Sequence, residues 1–379
     1  MNRATRRLLR DAGGHCLRHL WTLLQTRAMR LGIIGLPGCG KTTVFNALTS
    51  SSAQVADFST AVRGPNLAVV KIPEPRLPFL AQLYNSKKVT EATVDYVDVG
   101  GLTGSTQKGQ ELGETFLSHV RPVDALVHVV RNFQHPMHGA GNPLKDISRV
   151  ETELILADLL VVEKRLERIA AERQRGKKEN PEEVRLLQEC QEILEASRPL
   201  RSQPGISDIP LMRGFGFLSA KPLLILVNQP EEDVPPLPDK VTDGTLAPHL
   251  EIVGKLEMEL AQLSPDEASE FMVEMGLETL AREQVIQASS QLLGLISFFT
   301  TNEQEARAWT VKAGTPALQA AGVVHSDMER GFIRAEVVQY DDLEDAGSYA
   351  VAQKQGLVRL EGKEYIVQDG DVIFFRFKV

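Results

Sequence analysis

Gly35-Leu36-Pro37-Gly38-Cys39-Gly40-Lys41-Thr42 follows a short apolar run at 31–34 and precedes a helical pattern at 43–48. Strand, glycine loop and helix in that order predict a phosphate-binding loop, and with it an α/β core built on a largely parallel sheet. The reason is local. Glycines let the backbone from Leu36, Pro37, Gly38, Cys39 and Gly40 to Thr43 curl around an anion, and the helix start adds its positive dipole end. Lys41 then reaches the β/γ-phosphates and the Thr42 hydroxyl takes Mg²⁺. The alternative, a plain glycine turn with an ordinary lysine, leaves the flanking strand and helix unexplained.

Further stations of a nucleotide-binding core follow in chain order. A polar, aperiodic stretch at 49–66 is where a γ-phosphate sensor would lie, and it leads into a strand at 67–72 and a helix within 73–84. The next strand, 92–97, ends in Asp98-Val-Gly-Gly101. An acid at that strand end holds Mg²⁺ through water, and the Gly101 N–H meets the γ-phosphate. Two apolar runs, 124–130 and 222–227, read as buried parallel strands, the second delivering Asn228-Gln229-Pro230-Glu231 at its tip. In Asn-Lys-x-Asp GTPases the aspartate reads guanine and the lysine stem lies along the base. Here Glu231 and Gln229 replace them. One extra methylene moves the carboxylate by about 1 Å, so guanine specificity is expected to weaken. The other reading makes Asn228 and Glu231 ordinary strand-end loop residues.

Composition narrows the classes. The chain has 379 residues, a net charge of −8 and three cysteines, at 16, 39 and 190, without metal or disulfide spacing. No run approaches a membrane span, so a cytoplasmic chain with no membrane partner is expected. Residues 1–28 carry six arginines against one acid, +5, which leaves −13 for the rest. This basic extension reads either as a transit-like segment or as in-frame sequence upstream of a start at Met29, and it is set outside the fold. Cys39 has two readings as well, an oxidation-sensitive switch or a small residue filling a tight turn.

Beyond the core, Ile155, Leu159, Val162, Leu166 and Ile169 repeat at helical spacing, as do Leu187, Cys190 and Leu194 after a turn near 176–181. Two antiparallel amphipathic helices are predicted, inserted at about 146–203. Arg173, Arg175, Lys177 and Lys178 mark their tip, flanked by Glu172 and Glu179, so an RNA-gripping tip and a solvated turn are both open. A helical stretch at 266–295 precedes a tail with alternating runs at 332–338, 364–368 and 372–377 and a helix near 316–321, the pattern of a small mixed sheet. From 298 onward nine Lys and Arg face thirteen acids, which argues against a generic polyanion binder and against DNA specificity.

Together these segments resemble the YchF/Obg-like ATPase family. The likeness rests on the phosphate loop within 30–49, Asp98-Val-Gly-Gly-Leu102, Lys108-Gly-Gln-Glu-Leu-Gly113, His128-Val-Val-Arg131, the Asn-x-x-Glu reader, Ala306-Arg-Ala-Trp309 and His325-Ser-Asp-Met-Glu-Arg-Gly-Phe-Ile-Arg334. It covers nearly everything after Met29. The resemblance implies a P-loop NTPase core at 29–296 with an inserted antiparallel helical hairpin, and a C-terminal β-grasp (TGS) domain at 297–379. It also implies adenine preferred over guanine, and association with the ribosome, its RNA or its proteins.

Departures shape the expected activity. Leu102 stands where many GTPases place a water-orienting glutamine, so hydrolysis is expected to be slow without a partner's help. The family's sensor threonine falls on Val62, with Thr60 nearby as a substitute. Val253-Gly254-Lys255-Leu256-Glu257 is only a faint echo of a base-supporting loop. The expected function is an NTP hydrolase of low intrinsic rate, acting on ATP (GTP possible) with Mg²⁺ as a translation-associated switch. Lys41, Thr42, Asp98 and Gly101 would hold phosphate and metal, and Asn228 and Glu231 would read the base. The alternatives are a nucleotide-gated adaptor with negligible hydrolysis and an Obg-type GTPase.

Overall fold

The computed structural model describes residues 29–49, 66–99, 113–203, 205–206, 209–242, 247–277 and 279–378. In chain order these form β1 (Arg30–Ile34), α1 (Lys41–Thr49), β2 (Asn66–Lys71), α2 (Leu77–Leu83), β3 (Lys88–Thr90), β4 (Thr93–Asp98), α3 (Glu114–Val120) and β5 (Ala125–Arg131). There follow α4 (Pro143–Gln174), α5 (Pro181–Glu195), β6 (Leu223–Asn228), β7 (His249–Ile252), α6 (Gly254–Leu260), α7 (Pro265–Met275) and α8 (Ala281–Leu292). The last part holds β8 (Leu295–Thr301), β9 (Glu305–Lys312), α9 (Ala317–Val324), β10 (Phe332–Gln339), β11 (Arg359–Glu361) and β12 (Asp371–Phe377), with short helices between. Among the described residues, no helix is long and apolar enough to cross a membrane.

The chain divides into two compact units, 30–70 with 94–293, and 71–93 with 294–379. The first is built on a six-stranded sheet in the order β2-β4-β1-β5-β6-β7. β4, β1, β5, β6 and β7 run parallel to one another. Strands covered on both faces need apolar residues at every position rather than alternate ones. Ala125–Arg131 and Leu223–Asn228 are buried along their whole length for that reason. Parallel order also brings the C-terminal ends of β1, β4, β5 and β6 to one edge, where ligands of open α/β sheets bind.

The helical hairpin is present, with its first helix longer than expected. Pro143–Gln174 spans 32 residues and starts under an Asn142 cap whose side-chain oxygen accepts from the Lys145 N–H at 3.1 Å. Asn180 caps the second helix in the same way at the Glu182 N–H, 3.1 Å. Ile155, Val162 and Ile169 pack against Leu187, Cys190 and Leu194 in one apolar cluster, with Leu159 and Leu166 at its margin. At the tip, Arg173 pairs with Glu179 and Lys177 with Glu172. Those pairs offset two of the four basic residues there, and Arg175 and Lys178 leave the tip with a net positive charge, so both readings of it stand.

Asp158, on α4, is fully buried. Its carboxylate accepts from the Leu218 N–H at 2.8 Å and from the Ser219 N–H and hydroxyl at 2.7 Å each, tying the hairpin to the segment that enters β6. Burial pushes its pKa up, and the three donors oppose that shift. Asp158→Ala strands those donors away from water and is expected to cost about 2–4 kcal/mol, read as a lower urea midpoint. An unchanged midpoint would show the carboxylate to be dispensable.

The second unit holds a six-stranded mixed sheet in the order β11-β10-β12-β8-β9-β3. β8 and β9 form an antiparallel hairpin, β12 returns parallel to β8 in the middle of the sheet, and α9 covers one face, a β-grasp arrangement. Ala317, Ala320 and Ala321 of α9 pack with Phe298, Val337 and Ile373 of the sheet. Three sequence expectations are corrected here. The edge strand is Arg359–Glu361, whereas 364–368 contributes only an isolated bridge between Ile366 and Pro316. The helical stretch at 266–295 is two helices, because Gly276 terminates α7 in the left-handed region at φ 66°. The 29–296 span is not one compact unit, since β3 pairs with β9 and carries 71–93 into the second unit.

Candidate nucleotide-binding site

The loop after β1 has the predicted geometry. Gly38 and Gly40 sit at φ 73° and 84°, a region closed to most side chains, and they bend the chain between strand and helix. The Cys39 N–H donates to the Leu36 carbonyl at 3.2 Å, closing the turn. Leu36 packs against the core of the sheet, Pro37 is exposed, and Thr42 and Thr43 are half-buried at the start of α1. Lys41 is the first residue of α1, and its ammonium meets Asp98 Oδ1 at 2.6 Å, with both groups buried. Thr42 Oγ1 lies 3.5 Å from the other oxygen, Oδ2. The sheet produces this convergence, because β1 and β4 pair with Ile33 opposite Asp98.

An Mg²⁺ ion takes hard oxygen donors and keeps several waters. A hydroxyl and a carboxylate side by side, next to a loop shaped for phosphate, fit that preference. Among the described residues no cluster of three His, Cys, Asp or Glu offers an all-protein metal cage. Gly101, Leu102, Thr60 and Val62 lie outside the described residues, as does the basic extension 1–28.

Asn228 and Glu231 are brought to the same edge but in different roles. Asn228 is buried, its Nδ2 donating to the Cys39 carbonyl at 3.1 Å and its Oδ1 accepting from the Gly254 N–H at 3.0 Å. It therefore bolts the phosphate loop to the turn after β7, and one amide N–H remains for a base acceptor. Gln229 is buried too, donating to Glu251 at 2.7 Å and accepting from Asn132 at 2.9 Å, so it is not laid along a base. Glu231 is exposed, and Lys255 Nζ stands 3.0 Å from its Oε2. The faint 253–257 echo thus forms part of the site. Helix α6 is held there by Glu257, a buried residue whose Oε1 accepts from the Ala281 N–H at 2.6 Å and so caps α8.

Two residues escaped the sequence reading. The turn after β5 is anchored by buried Arg131, which donates to the Gly139 carbonyl at 2.6 Å. It sets the rings of His135 and His138, tilted 37° to each other with centroids 4.7 Å apart, against Gly38. The only sequence signal was their position just beyond a buried strand of the same sheet. Cys39 is settled as a packing residue, being 2% exposed with burial pushing its thiol up to about 11, far from a reactive thiolate.

Glycine loop, helix-start lysine and strand-end aspartate on a parallel sheet define a P-loop NTPase. The chain belongs to the YchF/Obg-like ATPase family. It is 41% identical over 365 residues to "Ribosome-binding ATPase YchF" of Bacillus subtilis, covering 93% of this chain and all of that protein. It is 34% identical to "Obg-like ATPase 1" of Rattus norvegicus over 92% of each chain. The solved YchF GTPase of Schizosaccharomyces pombe superposes with a TM-score of 0.79 at 30% identity, over 92% of this chain and 97% of that one. The family model described as "50S ribosome-binding GTPase" matches residues 30–165. The YchF-GTPase_C model, described as a protein of unknown function (DUF933), matches 295–378.

Proposed function

We propose that this protein binds and slowly hydrolyses ATP, with GTP also admitted, and acts as a ribosome-associated switch. The observation that carries the reading is the buried contact of Lys41, Thr42 and Asp98 under the glycine loop. Without ligand, Asp98 neutralises Lys41. When a triphosphate enters, the ammonium turns to the β/γ-phosphate oxygens and the loop amides take the remaining charge. Thr42 and Asp98 would then hold Mg²⁺, which screens the phosphate charge and stabilises the leaving group. Asn228 keeps the loop in register with the base-side turn, and Glu231 faces the base. Leu102 supplies no hydrogen bond to an attacking water, so turnover is slow in isolation.

Ribosome association is supported by the named activity of the relatives, and the β-grasp unit, taken as a TGS domain at 297–379, is the contact module. The unit at 30–70 with 94–293, which includes the helical insert, is the nucleotide-binding domain, and the setting is the cytoplasm. The competing reading, an adaptor that binds nucleotide and hardly turns over, is favoured by the same Leu102. Single-turnover hydrolysis with and without ribosomes decides between them. A rate raised at least tenfold by ribosomes is expected; background rates in both arms would leave the adaptor. Calorimetry is expected to show ATP bound at least as tightly as GTP, and a clear GTP preference would point to an Obg-type GTPase.

A further inference from the structure

The base-side turn contains a charge pair whose chemistry differs from that of a lone carboxylate reader. Asn228 and Gln229 are buried and hydrogen-bonded to protein partners, with one Asn228 amide N–H left over. Further along the turn Glu231, Glu232 and Asp233 are exposed, and Glu231 pairs with the exposed Lys255 at 3.0 Å. Their position beside the phosphate loop is fixed from below. A Cβ on Gly40 would stand 2.2 Å from Asn228 Nδ2, and one on Gly254 would stand 2.9 Å from Asn228 Oδ1. Loop, strand tip and the start of α6 therefore form one contiguous wall, on which a base attached to a loop-bound triphosphate would rest. The Lys255 ammonium has a second acid within reach, Glu259 at 3.9 Å one turn along α6, so it stays charge-paired when Glu231 turns to a ligand.

Purines differ at position 6. Adenine presents an amino donor there, and guanine presents a carbonyl acceptor next to a donor at N1. A carboxylate alone accepts from the adenine amine but faces the guanine carbonyl acceptor to acceptor. An ammonium beside it reverses that penalty by donating to O6 while the carboxylate takes the N1–H.

We propose that Lys255 is a specificity-determining residue, forming with Glu231 a donor–acceptor pair that admits guanine nucleotides alongside adenine ones. The inference rests on the base-reading role of Glu231. Lys255 acts on the base rather than the phosphates, and its weight falls on the nucleotides that carry a 6-carbonyl. ITP, which keeps O6 and N1–H but lacks the 2-amino group, should follow GTP.

The test is calorimetric titration of the full chain with ATP, GTP and ITP, using wild type, Lys255→Met, Lys255→Arg and Glu231→Ala. Lys255→Met retains the stem and is expected to weaken GTP and ITP at least tenfold while ATP changes less than threefold. Lys255→Arg is expected to restore most of the loss. Equal changes for all three nucleotides, or none, would overturn the proposal. Glu231→Ala separates the two levels of argument. If it alters the ATP-to-GTP ratio while Lys255→Met does not, only the Lys255 inference fails. If it leaves the ratio untouched, the base-reading role fails and the inference with it. Thermal unfolding of each variant shows that the fold is intact, since both side chains are exposed.

Discussion

Lys41→Ala is expected to abolish measurable nucleotide binding and to lower single-turnover hydrolysis by two to three orders of magnitude, the usual effect of removing one preorganised charge donor. Lys41 is the ammonium at the mouth of the loop, and its substitution also leaves the Asp98 carboxylate buried without its cation. Uncompensated buried charge costs about 3–5 kcal/mol. Asp98 escapes part of that cost by turning toward water, so the fold is expected to survive with a lowered melting temperature. Equilibrium titration with a fluorescent ATP analogue, alongside circular dichroism, separates lost affinity from lost structure. Wild-type affinity in the folded variant would refute the phosphate-loop assignment, and the function built on it.

Gly40→Ala is expected to have the second largest effect, and the comparison with Gly38→Ala makes it diagnostic. Both glycines have positive φ, so each alanine carries a backbone strain of about 1–2 kcal/mol. Their neighbours differ. At Gly38 the added methyl meets the His138 ring, an exposed side chain on a turn that can swing aside. At Gly40 it meets the Asn228 amide, which is buried and bonded at both ends. Relief there requires breaking the link between the phosphate loop and the base-side turn. Gly40→Ala is therefore expected to weaken ATP and GTP alike by about a hundredfold, roughly 2.7 kcal/mol, against about tenfold for Gly38→Ala. Equal losses at the two positions would mean that Asn228 is not the rigid brace the hydrogen bonds indicate.

The elements of the nucleotide unit were largely legible because parallel strands buried on both faces announce themselves as unbroken apolar runs, and because glycine-loop chemistry is local. The hairpin was legible from spacing, although its first helix begins at Pro143, where the Asn142 cap, a local signal passed over, starts it. The second unit was harder. The 364–368 run alternates like a strand, yet it finds only a single bridge partner. The detour through 71–93 was invisible, since β3 is three residues long and is strand only because β9 lies beside it.

At the site the division follows the same line. Sequence alone determined the phosphate loop, the strand-end Asp98 and the Asn-x-x-Glu tip, because each is specified by residue type and spacing within one strand and its following turn. Tertiary structure alone decided what those groups touch. It made Asn228 a brace, took Gln229 out of base contact, set two histidines against Gly38, and placed Lys255 on Glu231. These contacts join residues brought together only by parallel strand order and by packing of α6 on α1. Side-chain hydrogen bonds across such distances depend on a few tenths of an ångström that no local pattern encodes.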